Sequence, residues 1–210
     1  MSLNIDRSYS FIQQAVQASG GWCMGICLSI IKGIMDYSVA PNNPAHAYDI
    51  SQTICSSLMQ STYDDRLAPF KGAVRNLQRT FERGGKPSGA YDYNLNQAFL
   101  VLLGTYVNPN AELDQAEYGS RFQGWLELDE ANHAGVAAWD GTNQLFVFDP
   151  NTGGATATFS GMNLKEAIDA TLAHLYALYD RLSVGEGGPR RRAVLKWARS
   201  LTGDDITGVI

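Results

Sequence analysis

Histidine, cysteine and basic residues are scarce in this sequence, and their scarcity excludes several functions. Only 3 histidines and 3 cysteines occur among 210 residues, with no His/Cys pair at ligand spacing, so we expect no metal site and no cofactor. Lysine and arginine number 16 against 21 acidic residues, a formal net charge of −5, which argues against a nucleic-acid partner because phosphates select a basic surface. The odd cysteine count argues against a disulfide framework and predicts at least one free thiol.

Long apolar runs are also lacking. The longest, over residues 26–35, is interrupted by Ser29, Lys32 and Gly33 and is much shorter than the roughly 20 residues that span a bilayer. The opening segment MSLNIDRSYSFIQQAVQ has no basic stretch followed by an apolar run, so we expect no secretory signal. A soluble protein is expected, exported, if at all, by another route. Membrane association is not indicated, and the oligomeric state stays open.

The hydrophobic pattern predicts a single domain of the α+β class over residues 1–210. It divides into a helical half over about residues 1–120, a four-stranded antiparallel sheet over about 121–160, and C-terminal helices over 161–210. Helical spacing begins at Cys23, after the breakers Gly20 and Gly21. Further helices are predicted over residues 47–59, 72–82, 95–103, 163–182 and 194–201, and strands over 121–128, 133–139, 144–149 and 155–159.

The two middle strands of these four bring a histidine and an aspartate together. If residues 133–139 and 144–149 form a hairpin across the turn DGTN, paired residue numbers sum to about 282 or 283, and His133 lies opposite Asp149 or one residue from it. Side chains opposite each other in an antiparallel pair are close enough to hydrogen-bond. The alternation places Asp149 on the face away from Phe146 and Phe148, at a strand end that water can reach.

A nucleophile is predicted independently at Cys23. This residue lies in the first turn of a predicted helix, where unpaired N–H groups and the helix dipole favour a thiolate. Cys27 lies one turn deeper on the apolar stripe and is assigned to packing. The backbone N–H of Cys23 and the side-chain amide of Gln17, folded back over the Gly20–Gly21 turn, could form an oxyanion hole. The four residues suit a thiol hydrolase, with Asp149 orienting His133 and His133 activating Cys23.

At this point the residues resemble the papain-like cysteine peptidases. Gln17, five intervening residues and Cys23 match the amino-terminal motif of that fold, and Trp22-Cys23-Met24-Gly25 is similar to the Trp-Cys-x-Gly of staphopains. His133, with Phe-Asp-Pro-Asn-Thr-Gly placing Asp149 sixteen residues later, resembles the YopT and AvrPphB group of bacterial effector peptidases.

The resemblance implies a papain-like fold and a cysteine protease. Its helical half would carry Gln17 and Cys23, and its antiparallel sheet would carry His133 and Asp149. It also implies a virulence effector that a bacterial secretion apparatus injects into a host cell, where it cleaves a host protein. Trp22 and Trp139 are candidates for walls of the substrate cleft, and the loops over residues 86–93 and 112–118 for specificity.

Other interpretations stay open. A buried cysteine is often only a small hydrophobic residue, and Asp-Pro-Asn is an ordinary turn. His46 and His174 are more easily explained as solvated or packed, and Arg190 to Arg192 as a solvated face or a docking site for acidic lipid or a partner. A glutamine deamidase, a transglutaminase or a cell-wall amidase could use the same triad. A catalytically inactive binding module could retain the same shell.

Overall fold

One antiparallel sheet of six strands runs through the described part of the chain. The computed structural model describes residues 1–16, 21–38, 43–82, 99–108, 131, 133–184 and 191–199. The strands are β1 (Ser2–Ser10), β2 (Phe99–Asn108), β3 (His133–Trp139), β4 (Gln144–Asp149), β5 (Gly153–Ser160) and β6 (Arg192–Arg199). The α-helices are α1 (Cys23–Tyr37), α2 (Pro44–Gln60), α3 (Ala68–Glu82) and α4 (Leu164–Val184), with short 3₁₀ turns at Gln13–Ala15 and Asp65–Leu67.

The α+β class is as predicted, but the sheet is larger than the predicted four strands. Its order is β1-β5-β4-β3-β2-β6, so it takes strands from all three predicted regions. The predicted helix over residues 95–103 is wrong, because β2 begins at Phe99. The predicted helix over residues 194–201 is also wrong, because β6 covers Arg192–Arg199. The predicted strand over residues 121–128 lies outside the described residues.

Each face of the sheet packs against different helices. On one face, Phe146 and Phe148 join a core built with α1, α2 and α3, and on the other, Leu145 and Val147 join a core built with α4. The interior strand β2 contributes to both cores, with Leu100 and Leu102 in the first and Val101 and Leu103 in the second. A strand buried on both faces has the continuous apolar sequence that made it resemble a helix.

The N-terminus of α1 is fixed against α3. A Cβ atom at Gly25 would lie 2.5 Å from the carbonyl oxygen of Val74, so only glycine allows this close approach. The Gly25 N–H donates to Oε1 of the buried Gln78 at 2.9 Å. These contacts fix the position of Cys23, the first residue of α1.

α4 buries one side against the sheet. Tyr176 is 2% exposed, whereas Leu178, two residues later, is 48% exposed. The buried stripe therefore passes through Tyr176 rather than Leu178. Neither α4 nor any other helix among the described residues is apolar enough over a sufficient length to cross a membrane.

The β3–β4 hairpin differs from the predicted register. Its pairs, from Val136↔Phe148 to Trp139↔Leu145, have residue numbers that sum to 284 instead of 282 or 283. The loop between the strands is longer than assumed and is closed by the Asp140 N–H donating to the Gln144 carbonyl at 3.2 Å. Asp149 is therefore a diagonal neighbour of His133 on the same face, and such neighbours remain within reach of long side chains.

Candidate active site

His133 and Asp149 meet at one end of the sheet, where β3 begins and β4 ends. Nε2 of His133 lies 3.0 Å from Oδ1 of Asp149. The histidine is 5% exposed and the aspartate 0% exposed, so the expectation that water reaches Asp149 is wrong. The carboxylate is covered because β4 continues into a turn that packs under α4 and β1. A buried carboxylate needs compensating donors, and His133 is one of them.

Cys23 approaches the histidine from the helical face. Its side chain is close enough to His133 to raise the pKa of the imidazole. Since Nε2 faces Asp149, Nδ1 is the ring nitrogen left for Cys23. Cys23 is 2% exposed and is the first residue of α1. Its N–H therefore belongs to the helical turn whose donors lack acceptors within the helix. The structure thus brings together three of the four predicted residues.

The charge state of His133 is set by its neighbours. Burial lowers the pKa of His133, but the charge of Asp149 and hydrogen bonds with Asp149 and Cys23 raise it more, to about 10. The imidazole is therefore protonated at neutral pH. A cationic imidazole beside a cysteine is the arrangement that thiol catalysis uses.

The other two cysteines have a different environment. Cys27 is 0% exposed and Cys55 is 3% exposed. Burial raises the pKa of the Cys27 thiol well above its usual range, and the pKa of Cys55 is raised by the same cause. Both are neutral thiols packed in the core, as the sequence predicts for Cys27, so Cys23 alone has a nucleophile's surroundings.

Asp149 has two further donors that the sequence analysis missed. The backbone N–H of Asn151 donates to Oδ1 at 2.7 Å, and the hydroxyl of Tyr176 lies 3.2 Å from each carboxylate oxygen. The sequence places Tyr176 four residues after Leu172, at helical spacing on the buried side of α4, but it does not indicate the contact with Asp149.

The side chains of Asn151 and Gln13 extend this network. Asn151 Nδ2 donates to the Tyr176 oxygen at 3.1 Å, and its Oδ1 accepts from Gln13 Nε2 at 2.7 Å. Gln13 Oε1 then accepts the backbone N–H of Trp22 at 3.0 Å. The segment after β1 is held here by its backbone, since the Gln13 N–H donates to the Pro150 carbonyl at 2.8 Å. No sequence spacing indicates this contact, which joins residues far apart in the chain.

Several predicted contributors are not at the described site. Gln17 and the loops over residues 86–93 and 112–118 lie outside the described residues. Trp22 adjoins Cys23, but its side chain is buried in the core. Trp139 ends β3, six residues from His133, or about 20 Å along an extended strand. It therefore does not wall this site.

The remaining histidines and Arg191 lie elsewhere, and Arg190 is outside the described residues. His174 is exposed on α4, and Nδ1 of His46 lies 3.4 Å from the hydroxyl of Ser38. Arg191 is not part of a solvated face, because its Nε and backbone N–H each donate to the buried Asp180 at 2.7 Å. That ion pair anchors the start of β6 to α4.

Comparison of the chain with protein-family models, with curated proteins and with solved structures gives no match. A function must therefore be argued from the geometry of the site and from the sequence motifs around it.

Proposed function

We propose that this chain is a cysteine protease of papain-like architecture with Cys23 as nucleophile, His133 as acid and base, and Asp149 as the group that orients the histidine. The observation that carries the proposal is the position of His133, which contacts Cys23 on one side and, through Nε2, Asp149 at 3.0 Å on the other. A nucleophile, a base and an orienting group in this order are what acyl transfer needs.

The reaction follows from these positions. The Cys23 thiolate adds to the carbonyl carbon of a peptide bond, and imidazolium Nδ1 of His133 gives its proton to the leaving amine. A thioester remains on Cys23. His133, now neutral, takes a proton from water, whose oxygen attacks the thioester and releases the carboxylic acid. Asp149 holds the proton of Nε2 throughout, so Nδ1 stays aimed at the reaction.

An oxyanion forms in both steps and needs hydrogen-bond donors. The Cys23 N–H is one candidate, because donors in the first turn of a helix are not used within the helix. Gln13 does not supply the second, since its Nε2 donates to Asn151. The proposal keeps Gln17 in this role on the basis of its offset from Cys23.

The substrate class is proposed from the sequence motifs. Their resemblance to bacterial effector peptidases supports a host protein as substrate and delivery into the host cytoplasm. A protein substrate also suits a chain whose nucleophile and base are only 2% and 5% exposed, because an extended peptide is thin enough to reach a recessed thiol.

The test compares two cysteine variants. Wild type, Cys23→Ala and Cys27→Ala are incubated with a host-cell lysate, and new protein termini are identified by mass spectrometry. We expect the same new termini from wild type and Cys27→Ala and none from Cys23→Ala. Termini that persist with Cys23→Ala would refute the proposal. Release of ammonia without new termini would indicate a glutamine deamidase or transglutaminase instead.

A further inference from the structure

The hydrogen bonds that end on Asp149 have only one possible direction. A backbone N–H can only donate, so Gln13 presents Oε1 to Trp22 and Nε2 to Asn151. Asn151 then uses Oδ1 for Gln13 and directs Nδ2 to the Tyr176 oxygen. The Tyr176 hydroxyl is left to donate, and the carboxylate of Asp149 accepts it. We name this sequence of groups, from the Trp22 N–H to the Tyr176 hydroxyl, the donor chain.

The donor chain is shielded from water and joins both sides of the site. Gln13 and Asn151 are each 4% exposed, and Tyr176 is 2% exposed. The chain starts at the residue before Cys23, and from Asp149 the contacts return through His133 to Cys23. Buried polar groups with all partners present hold one arrangement, because a reversed amide would leave two acceptors facing each other.

We propose that Tyr176 is a positioning residue whose hydroxyl, oriented by Asn151 and Gln13, moderates the basicity of Asp149 and so sets the pH range over which His133 stays protonated beside Cys23. This inference rests on the proposed function, because it assigns the role to the same triad. A hydroxyl stabilises a bare carboxylate more than one whose charge is shared with an imidazolium. The Tyr176 hydrogen bond therefore favours neutral His133, and removing it should favour the protonated form.

The titratable groups around the pair allow this effect to be isolated. Cys23 and Cys27 lie on α1, Tyr176 on α4, Asp149 on β4, and Arg191 has its guanidinium carbon 5.9 Å from the Tyr176 ring centre. Burial raises the pKa of Tyr176 well above its usual range, more than Arg191 lowers it. Tyr176 therefore keeps its proton and remains a donor throughout the range in which His133 titrates.

The experiment is a titration of the histidine side chains by NMR with ¹⁵N-histidine labelling, with the His133 signal assigned by a His133→Gln variant. Tyr176→Phe should raise the midpoint of His133 by about 0.5 to 1 pKa unit, a fraction of the full strength of a hydrogen bond to a charged group, because the bond persists in part when His133 is protonated. The control is Tyr179→Phe, which removes another hydrogen-bonded hydroxyl of α4, 2.9 Å from Ser8 Oγ. It should leave the midpoint unchanged.

A second variant tests the part of the donor chain that lies farther from the triad. Gln13→Met removes the donor to Asn151 and frees that amide to turn. Gln14 Nε2, 3.4 Å from the same oxygen, holds Asn151 in part, so the rise should be smaller than for Tyr176→Phe. The double variant should match Tyr176→Phe alone, because both changes act through one hydroxyl.

The outcomes separate this inference from the proposed function. An unchanged or lowered midpoint in folded Tyr176→Phe protein would overturn the role of the donor chain, even if peptide cleavage is observed. A fall in particular would mean that the hydroxyl only holds the site together. If both rises appear but no new protein termini form in the lysate, the donor chain stands and the proposed function fails.

Discussion

Two turns led by aspartate flank β4, and they share the same local chemistry. Asp140 precedes the strand, and its Oδ1 accepts the N–H two residues later, from Thr142, at 2.8 Å. Asp149 ends the strand, and its Oδ1 accepts the N–H of Asn151 at 2.7 Å. Each turn also contains a glycine in the left-handed region, Gly141 with φ 87° and Gly153 with φ 124°.

The two turns differ in their surroundings. Asp140 is in contact with solvent, and its remaining bonds, from the Thr142 hydroxyl and the Gln144 N–H, stay within the turn. Asp149 is fully buried and also accepts from His133 and Tyr176. The hydrogen bonds that the two turns share therefore fix only the backbone conformation of each turn. A carboxylate gains the ability to hold an imidazolium when a neighbouring strand and a helix close around it.

The largest effect that we expect from the difference between the two turns is on the rate of catalysis. Asp149→Asn should lower peptide cleavage by on the order of 10³- to 10⁴-fold, because an amide no longer stabilises the imidazolium or fixes its tautomer. Asp140→Asn should change the rate less than about threefold, since the amide oxygen can still accept both backbone N–H groups of its turn. Rates of the two variants on one peptide substrate are the measurement. Equal rates would remove the distinction between the turns.

Substitution of the glycine in each turn should lower the free energy of unfolding by different amounts. A Cβ atom at Gly153 would lie 2.0 Å from the Tyr9 carbonyl oxygen, so Gly153→Ala should cost about 3 kcal/mol or more of unfolding free energy through strain and displacement of β1. Gly141→Ala faces the same backbone preference on the surface and should cost about 1 kcal/mol. Urea unfolding of both variants measures the difference. A Gly153→Ala protein as stable as Gly141→Ala would contradict the tight contact of β1 with the turn.

Helical spacing and turn residues in the sequence predict most of the elements. α1, α2, α3 and α4 repeat buried residues at helical spacing, and β3, β4 and β5 are bounded by turn residues. β2 was mistaken for a helix because it is buried on both faces. β6 was mistaken for a helix because it is an edge strand that carries the charges of a surface helix, with Arg192 and Lys196 alternating around buried Ala193 and Leu195. β1 was missed because most of it is exposed.

The residues of the candidate site likewise divide into those that the sequence predicts and those that it does not. Cys23, His133 and Asp149 are detectable because each stands at the boundary of an element and two belong to one hairpin. The hairpin register was wrong, yet the pair was found because a shift of two residues keeps both side chains on one face. Gln13, Asn151 and Tyr176 depend on contacts between the 3₁₀ turn after β1, the turn after β4, and α4, which only the folded chain creates.

The central claim is that His133 activates Cys23, and alkylation tests it most directly. Wild type and His133→Ala are treated with iodoacetamide at neutral pH, and the modified cysteines are mapped by mass spectrometry. Loss of the imidazolium should slow alkylation of Cys23 by about tenfold or more, because an unassisted thiol is only a few per cent ionised at this pH. Cys27 and Cys55 should stay unmodified in both proteins. Equal or faster alkylation of Cys23 in folded His133→Ala would contradict the account.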